Sequence, residues 1–172
     1  MPSSLPHDPI AEARRQWTAH GWGAYADGMA AITSVIRAQQ IFIARAEEVL
    51  RPLGLTFARY ELLTLLHFTR TGALPMAKAS ARLQVHPTSV TNAVDRLEKV
   101  GLVRRAPHPT DRRTTLIEIT AEGHELALVA TEQLNKTLFN DPGLDSEDLR
   151  PLLRILARLR QEAGDFEEPS DW

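Results

Sequence analysis

Two short helical segments, Met76–Leu83 and residues 87–101, are separated by only Gln84, Val85 and His86, and they run at once into two β-rich stretches, residues 102–106 and 113–119. Two helices joined by a turn of three residues have the organisation of a helix-turn-helix. The second segment is punctuated at both ends. Pro87 suits a first helical position, where its missing N–H would be unpaired anyway, and Gly101 suits the left-handed residue that stops a helix. Pro107, His108, Pro109, Thr110, Asp111 and Arg112 lie between the β-rich stretches; their prolines and aspartate favour a turn, which predicts a hairpin with a basic tip. Helix, tight turn, helix and hairpin in this order predict a winged helix-turn-helix, mainly α with a small β-hairpin wing.

The sequence on both sides of this motif reads as helix. Ile32, Val35, Ile36, Ile43, Ala46, Val49 and Leu50 recur near the spacing of one helical face, predicting a long helix over residues 30–51 that stops at Pro52, Leu53 and Gly54. Thr56 is placed to cap a helix running through Tyr60, Leu62, Leu63, Leu65 and Leu66 toward Gly72, and Thr120 to cap another over residues 121–138. In the last segment Leu149, Leu152, Leu156 and Leu159 form a narrow seam suited to a partner helix, with the regular part expected to begin at Pro151. The chain thus divides into an N-terminal extension with a short accessory helix (1–29), a dimerisation helix (30–55), the winged helix-turn-helix (56–120) and C-terminal dimerisation helices with a tail (121–172). The long first helix and the leucine seam offer more apolar surface than one small domain needs, which predicts a homodimer through both ends.

Composition removes several classes of function. Hydrophobic residues at 43% and charged residues at 24% fit a folded globular chain. With no cysteine there is no disulfide framework, no thiolate zinc site, no cysteine nucleophile and no thiol-based peroxide sensor. No apolar run approaches the ~20 residues of a membrane span, and the N-terminus lacks the basic start and apolar stretch of a signal peptide, so the cytoplasm is expected and a membrane partner is not. The six histidines have no paired ligand spacing, and neither a phosphate-binding glycine pattern nor an acid pair stands out, so no enzyme activity, metal or cofactor is expected. The net charge of −2 hides an uneven distribution: residues 75–113 carry eight Lys or Arg against three acids, while residues 139–172 carry nine acids against four arginines. Only the middle is suited to approach phosphates.

Within that basic middle, Val90, Val94 and Leu97 share one face of the second helix, which turns Thr88, Asn92, Asp95, Arg96 and Lys99 outward. A helix start bearing Thr88, Ser89, Thr91 and Asn92 reads base edges when it enters a major groove, asparagine bridging adenine N6 and N7, with Arg96 beside it for a base or a phosphate. Short hydroxyl residues lower helix propensity, and a purely solvated face would favour Glu, Lys or Ala instead. His86 stands where a serine or aspartate cap is usual and is a candidate contact as well. At the hairpin tip Arg112 and Arg113 are suited to the negative potential of a narrow minor groove, with Asp111 expected to fix one of the two guanidinium groups. Double-stranded DNA is therefore the expected partner, and the rival reading is a winged-helix module that binds protein or serves as a scaffold without specific DNA binding.

These residues resemble the MarR family of bacterial transcription regulators, most specifically in the stretch Val85, His86, Pro87, Thr88, Ser89, Val90 and Thr91, the run from Asp95 to Val103, and the wing signature Asp111, Arg112, Arg113. The resemblance implies a homodimer of intertwined terminal helices, one recognition helix per subunit in successive major grooves, and Arg113 in the minor groove. It also implies repression of a pseudo-palindromic operator, relieved by a small aromatic or anionic effector. The extension around Glu12, Ala13, Arg14, Arg15, Gln16 and Trp17 is similar to that of the urate-responsive subgroup, and by position Trp17, Glu61 and Arg105 match its ligand contacts. An indole, a carboxylate and a guanidinium suit a planar anion. Ala93 stands where that subgroup has a second arginine, and Glu61 where it has aspartate, so a planar or carboxylated ligand other than urate is expected.

Overall fold

In the computed structural model, which describes residues 5–111 and 113–171, the chain forms two units, one up to Arg45 and one from Ala46 onward. In the first, α1 (Pro9–Ala19) starts under an Asp8 cap whose carboxylate accepts the Ile10 N–H at 2.9 Å. Gly21, at φ +84°, turns the chain back, and Trp17 and Trp22 meet edge to face with ring centroids 5.4 Å apart. Arg14 Nε donates to Asp27 at 2.5 Å, tying α1 to α2 (Gly23–Leu50). The latter starts seven residues before the expected residue 30: nothing between Gly23 and Ala30 breaks a helix, and the apolar periodicity that marked residue 30 reports a buried or sticky face rather than a helix start.

In the second unit a 3₁₀ turn, Arg51–Leu53, ends on Gly54 at φ +72°. Then come α3 (Phe57–His67), β1 (Ala73–Pro75), α4 (Met76–Leu83), α5 (Pro87–Lys99), β2 (Val103–Pro107), β3 (Thr115–Ile119), α6 (Ala121–Leu134) and α7 (Ser146–Glu162). The strands form one antiparallel sheet in the order β1, β3, β2, with Ile117 facing Leu74 on one side and Arg105 on the other. The wing is therefore three-stranded. At three residues, one of them proline, β1 is too short for an alternating pattern to announce it.

The tight turn between α4 and α5 forms as its spacing demands. Gln84 adopts φ +54°, alone among described non-glycine residues, and Ser80 donates to the Val85 carbonyl at 2.6 Å across the turn. Behind the turn, Leu62, Leu63 and Leu66 of α3 meet Val90, Val94 and Leu97 of α5, Ile117 of β3 and Leu134 of α6, all at most 2% exposed. Burying each such side chain stabilises by about 1.5–3 kcal/mol, and together they fix which face of α5 is left outside.

α6 is fastened to α3 by Tyr60 OH with Thr131 Oγ1 at 3.1 Å and by His67 Nδ1 with His124 Nδ1 at 2.9 Å. Its start is capped by Thr120, which accepts from the Gly123 N–H at 3.0 Å and donates to the Gly101 carbonyl at 2.8 Å. Beyond Leu134 the helix widens into a π-helical stretch, Asn135–Phe139. α7 begins at Ser146, five residues before Pro151, correcting the expected start there. Pro151 lies in the second turn, past the unpaired first N–H groups, so the helix forgoes one internal bond there, to the Glu147 carbonyl, and continues. At its far end Arg160 Nη2 donates to Gln84 Oε1 at 2.9 Å, and Gln84 Nε2 donates to the Asp165 carbonyl at 3.1 Å. Among the described residues no helix is long and apolar enough to cross a membrane.

The seat of α6 has no room for a side chain at Gly123. A Cβ there would lie 2.1 Å from the Leu102 carbonyl oxygen and 2.7 Å from Ile119 Cγ1. Gly123→Ala is expected to destabilise the protein by about 3 kcal/mol and to lower Tm by about 10 °C; an unchanged thermal unfolding curve would mean that α6 does not seat on the β2 entrance.

Candidate nucleic-acid interface

The face of α5 left outside is polar from its first turn. Thr88, Ser89, Thr91, Asn92 and Arg96 are all exposed, while Val90, Val94 and Leu97 point into the core. His86 is the N-cap: its Nδ1 accepts the Thr88 N–H at 3.2 Å and lies 3.1 Å from the Thr88 hydroxyl. An imidazole thus does what a serine or aspartate usually does at this position. Thr91 donates back to the Pro87 carbonyl at 3.1 Å, which leaves its oxygen lone pairs turned to solvent.

The outward face divides into two flanks. On one, Ser89, Asn92, Ala93 and Arg96 line an open cleft of about 420 Å³ with Thr56, Ala58 and Arg59 of α3. On the other, Asp95 and Glu98 grip Arg105 of β2: Arg105 Nη2 donates to Asp95 Oδ1 at 2.5 Å, Nη1 donates to Glu98 Oε2, and the Arg105 backbone N–H reaches Glu98 Oε1 at 2.8 Å. The Asp95 bond, opposed by burial and aided by Glu98, pushes the guanidinium pKa further up. Asp95 faces outward as expected, and from there it also clamps the wing. Arg104 is likewise held, donating to Glu118 across the strand pair at 2.7 Å. Of the basic residues in this region, Arg96 and Arg113 are the sequence-predicted ones that stand exposed and described.

At the wing tip the Asp111 carboxylate accepts the Arg113 backbone N–H at 3.0 Å and the Thr114 hydroxyl at 2.6 Å. These bonds, the hydroxyl first, hold its carboxyl below the usual aspartate range. Among the described residues Asp111 therefore orders the turn through backbone and hydroxyl, not through a guanidinium as expected. His108 Nδ1 adds to the turn by accepting the Thr110 and Asp111 N–H groups at 3.3 and 3.2 Å. Sequence reasoning missed that role, for which a histidine two residues before a threonine in a proline-flanked loop is the only trace. Arg112 lies outside the described residues.

Of the expected effector contacts, Trp17 is half-buried in the first unit beside Trp22. Glu61 and Arg105 lie in the second, and Glu61, although exposed as a residue, has its carboxyl pKa pushed up by partial burial of the acid group. No group of three or more metal-ligating side chains comes together among the described residues.

Residues 55–115, covering the stretch from α3 to the start of β3, match the MarR family. The chain is 33% identical over 127 residues to the uncharacterized HTH-type transcriptional regulator YhbI of Bacillus subtilis, spanning 72% of this chain and 80% of that protein. It belongs to the MarR family. Sco5413, a MarR family transcriptional regulator from Streptomyces coelicolor, is 48% identical with a TM-score of 0.75 over 83% of this chain and 99% of that one. Sco3205 from the same organism, a MarR family regulator solved in complex with DNA, is 26% identical with a TM-score of 0.67 over 83% of this chain and 94% of that one. As a MarR family member the protein is a DNA-binding transcriptional regulator and not an enzyme, with a winged helix-turn-helix fold.

The turn at the wing tip makes a separate prediction. Asp111→Ala removes both acceptors, so backbone amide exchange at Arg113 and Thr114 is expected to quicken while Ile117 and Ile119 keep their protection. Because the folded carboxyl titrates lower than in the unfolded chain, the wild-type turn should hold at neutral pH and loosen as pH falls through that lowered value. Equal exchange in both proteins would show that Asp111 does not order the wing.

Proposed function

We propose that this MarR family regulator is a homodimeric repressor acting in the cytoplasm, which binds a pseudo-palindromic operator and is released by a small aromatic or anionic effector. The observation that carries the DNA-binding part is the exposed polar start of α5, with Thr88, Ser89, Thr91, Asn92 and Arg96, on the same winged motif as the ordered tip bearing Arg113. In this reading His86 and the first two turns of α5 meet base edges in the major groove, Arg96 meets a base or phosphate, and Arg112 and Arg113 enter the adjacent minor groove. Twofold symmetry then separates the half-sites by about 10 bp.

The dimer is favoured by apolar side chains that one chain leaves in water. Ile32, Val35 and Ile36 on α2 are 65%, 48% and 51% exposed, and Ile155 and Leu159 on α7 are each 56% exposed. Surfaces of this kind mark partner contacts. Trp17, Glu61 and Arg105 stay candidate effector contacts on the family resemblance alone, each within its own unit. Since Arg105 is bound to Asp95 and Glu98, an anion that competes for its guanidinium would loosen the wing from the recognition helix, which couples ligand to DNA release.

Titrating the protein against its own upstream DNA across a salt series tests the core of this reading. A specific complex whose log K falls steeply with log salt is expected, and Arg113→Ala is expected to weaken it about tenfold while leaving Tm and the dimer intact. Salt-insensitive or absent binding would favour a protein-binding scaffold instead, and an Arg113→Ala variant of wild-type affinity would remove the wing from the interface.

A further inference from the structure

Beside the recognition helix, the cleft between α3 and α5 adds Arg59 and Thr56 of α3 to the polar face of α5. Its lining holds two guanidinium groups, Arg59 and Arg96, and three neutral hydrogen-bonding groups, Thr56, Ser89 and Asn92, with no carboxylate. Arg59 is already positioned: its Nε donates to Thr56 Oγ1 at 3.1 Å, which leaves the Nη donors for another partner. The same hydroxyl caps α3 by accepting the Arg59 N–H at 3.4 Å, so the guanidinium stands at the positive end of that helix dipole. The nearest acids on α5, Asp95 and Glu98, are turned to the opposite flank and bonded to Arg105. Ala93, between Asn92 and Arg96 in the lining, contributes only a methyl group and keeps the cleft open.

We propose that this cleft is a seat for a DNA phosphodiester, with Arg59 and Arg96 as its two charges and Thr56 as its neutral donor, Ser89 and Asn92 at its rim being left to the base edges. The inference rests on the proposed entry of α5 into a major groove. That groove is about 12 Å wide and a helix with its side chains about 10–12 Å across, so groups on either flank of α5 meet the bordering phosphates. One flank is taken by the wing through Arg105; the other is this cleft, which holds the strand on the α3 side. A phosphate seat sets the register and depth of the helix without reading sequence, so Arg59 adds affinity to every duplex alike.

The experiment compares full-length wild type, Arg59→Gln and Arg59→Lys by fluorescence anisotropy, on the upstream DNA and on a random duplex of equal length, over a salt series. Arg59→Gln is expected to weaken both duplexes by the same factor, roughly three- to tenfold, and to shrink the log K against log salt slope by about 0.9 per protomer. Arg59→Lys, which keeps the charge, is expected to keep the slope. A wild-type slope in a folded Arg59→Gln protein overturns the proposal, as does a loss confined to the upstream DNA, which would make Arg59 a base reader, or a loss of effector response at unchanged affinity, which would make the cleft a small-anion site. Ethylation interference with the wild-type protein gives an answer even if Arg59→Gln does not fold: blocking phosphates are expected on both borders of the major groove, and blocking on the wing side alone overturns the seat. Wild-type protein that binds no DNA defeats the regulator reading itself, whereas normal wild-type binding with an unaltered variant slope defeats only the cleft.

Discussion

The polar outer face of α5 depends on the burial of three side chains. Val90, Val94 and Leu97 are withdrawn from water against Leu62, Leu63 and Leu66 of α3, and this alone settles the rotation of α5 about its own axis. Once the rotation is fixed, helical geometry sends Ser89, Asn92 and Arg96 to one flank, Thr91, Asp95 and Glu98 to the other, and Thr88 between them. No polar contact on the surface could set this orientation, since exposed ion pairs are worth about 1 kcal/mol or less each, against about 1.5–3 kcal/mol for every large apolar side chain in the core. The polar contacts then refine what the core has decided.

Arg105 is the main example of such refinement. One guanidinium and one backbone N–H bind two carboxylates seven and ten residues earlier, so the second strand of the wing is tied directly to the recognition helix. The cap at Thr120 and the close approach at Gly123 tie the end of the same wing to α6. Recognition helix, wing and the helix leading out of the domain therefore form one continuous set of contacts, each with few ways to rearrange.

Much of this was legible in the chain. Pro87, the three-residue turn and Gly101 located the recognition helix, and Thr56 and Thr120 each cap the helix they precede because a side-chain oxygen at that point satisfies an otherwise unpaired N–H. What stayed hidden was set by tertiary contacts. Strand β1 owes its existence to pairing with β3, residues distant in sequence, and has no periodicity of its own. Asp95 and Arg105 are separated by ten residues and a turn, so their bond is invisible until the wing folds over the helix, and Arg59 shares a cleft with Arg96 only because α3 packs its first turn beside α5. Pro151 is a poor marker of the start of α7 for the opposite reason: proline is disfavoured inside a helix, yet here the helix continues through it.

The cap at the start of α5 has a chemical consequence for what that helix can say to a nucleic acid. To accept the Thr88 N–H, His86 Nδ1 must be bare, and a neutral imidazole with a bare Nδ1 carries its single proton on Nε2. The Thr88 hydroxyl, 3.1 Å from the same nitrogen, then spends its own proton there and turns lone pairs outward. Folding has therefore assigned polarity to two neighbouring groups that could each have donated or accepted. At the tip of the helix the protein presents a donor from His86 beside an acceptor from Thr88, a fixed two-letter pattern to which only some arrangements of atoms on a facing surface are complementary.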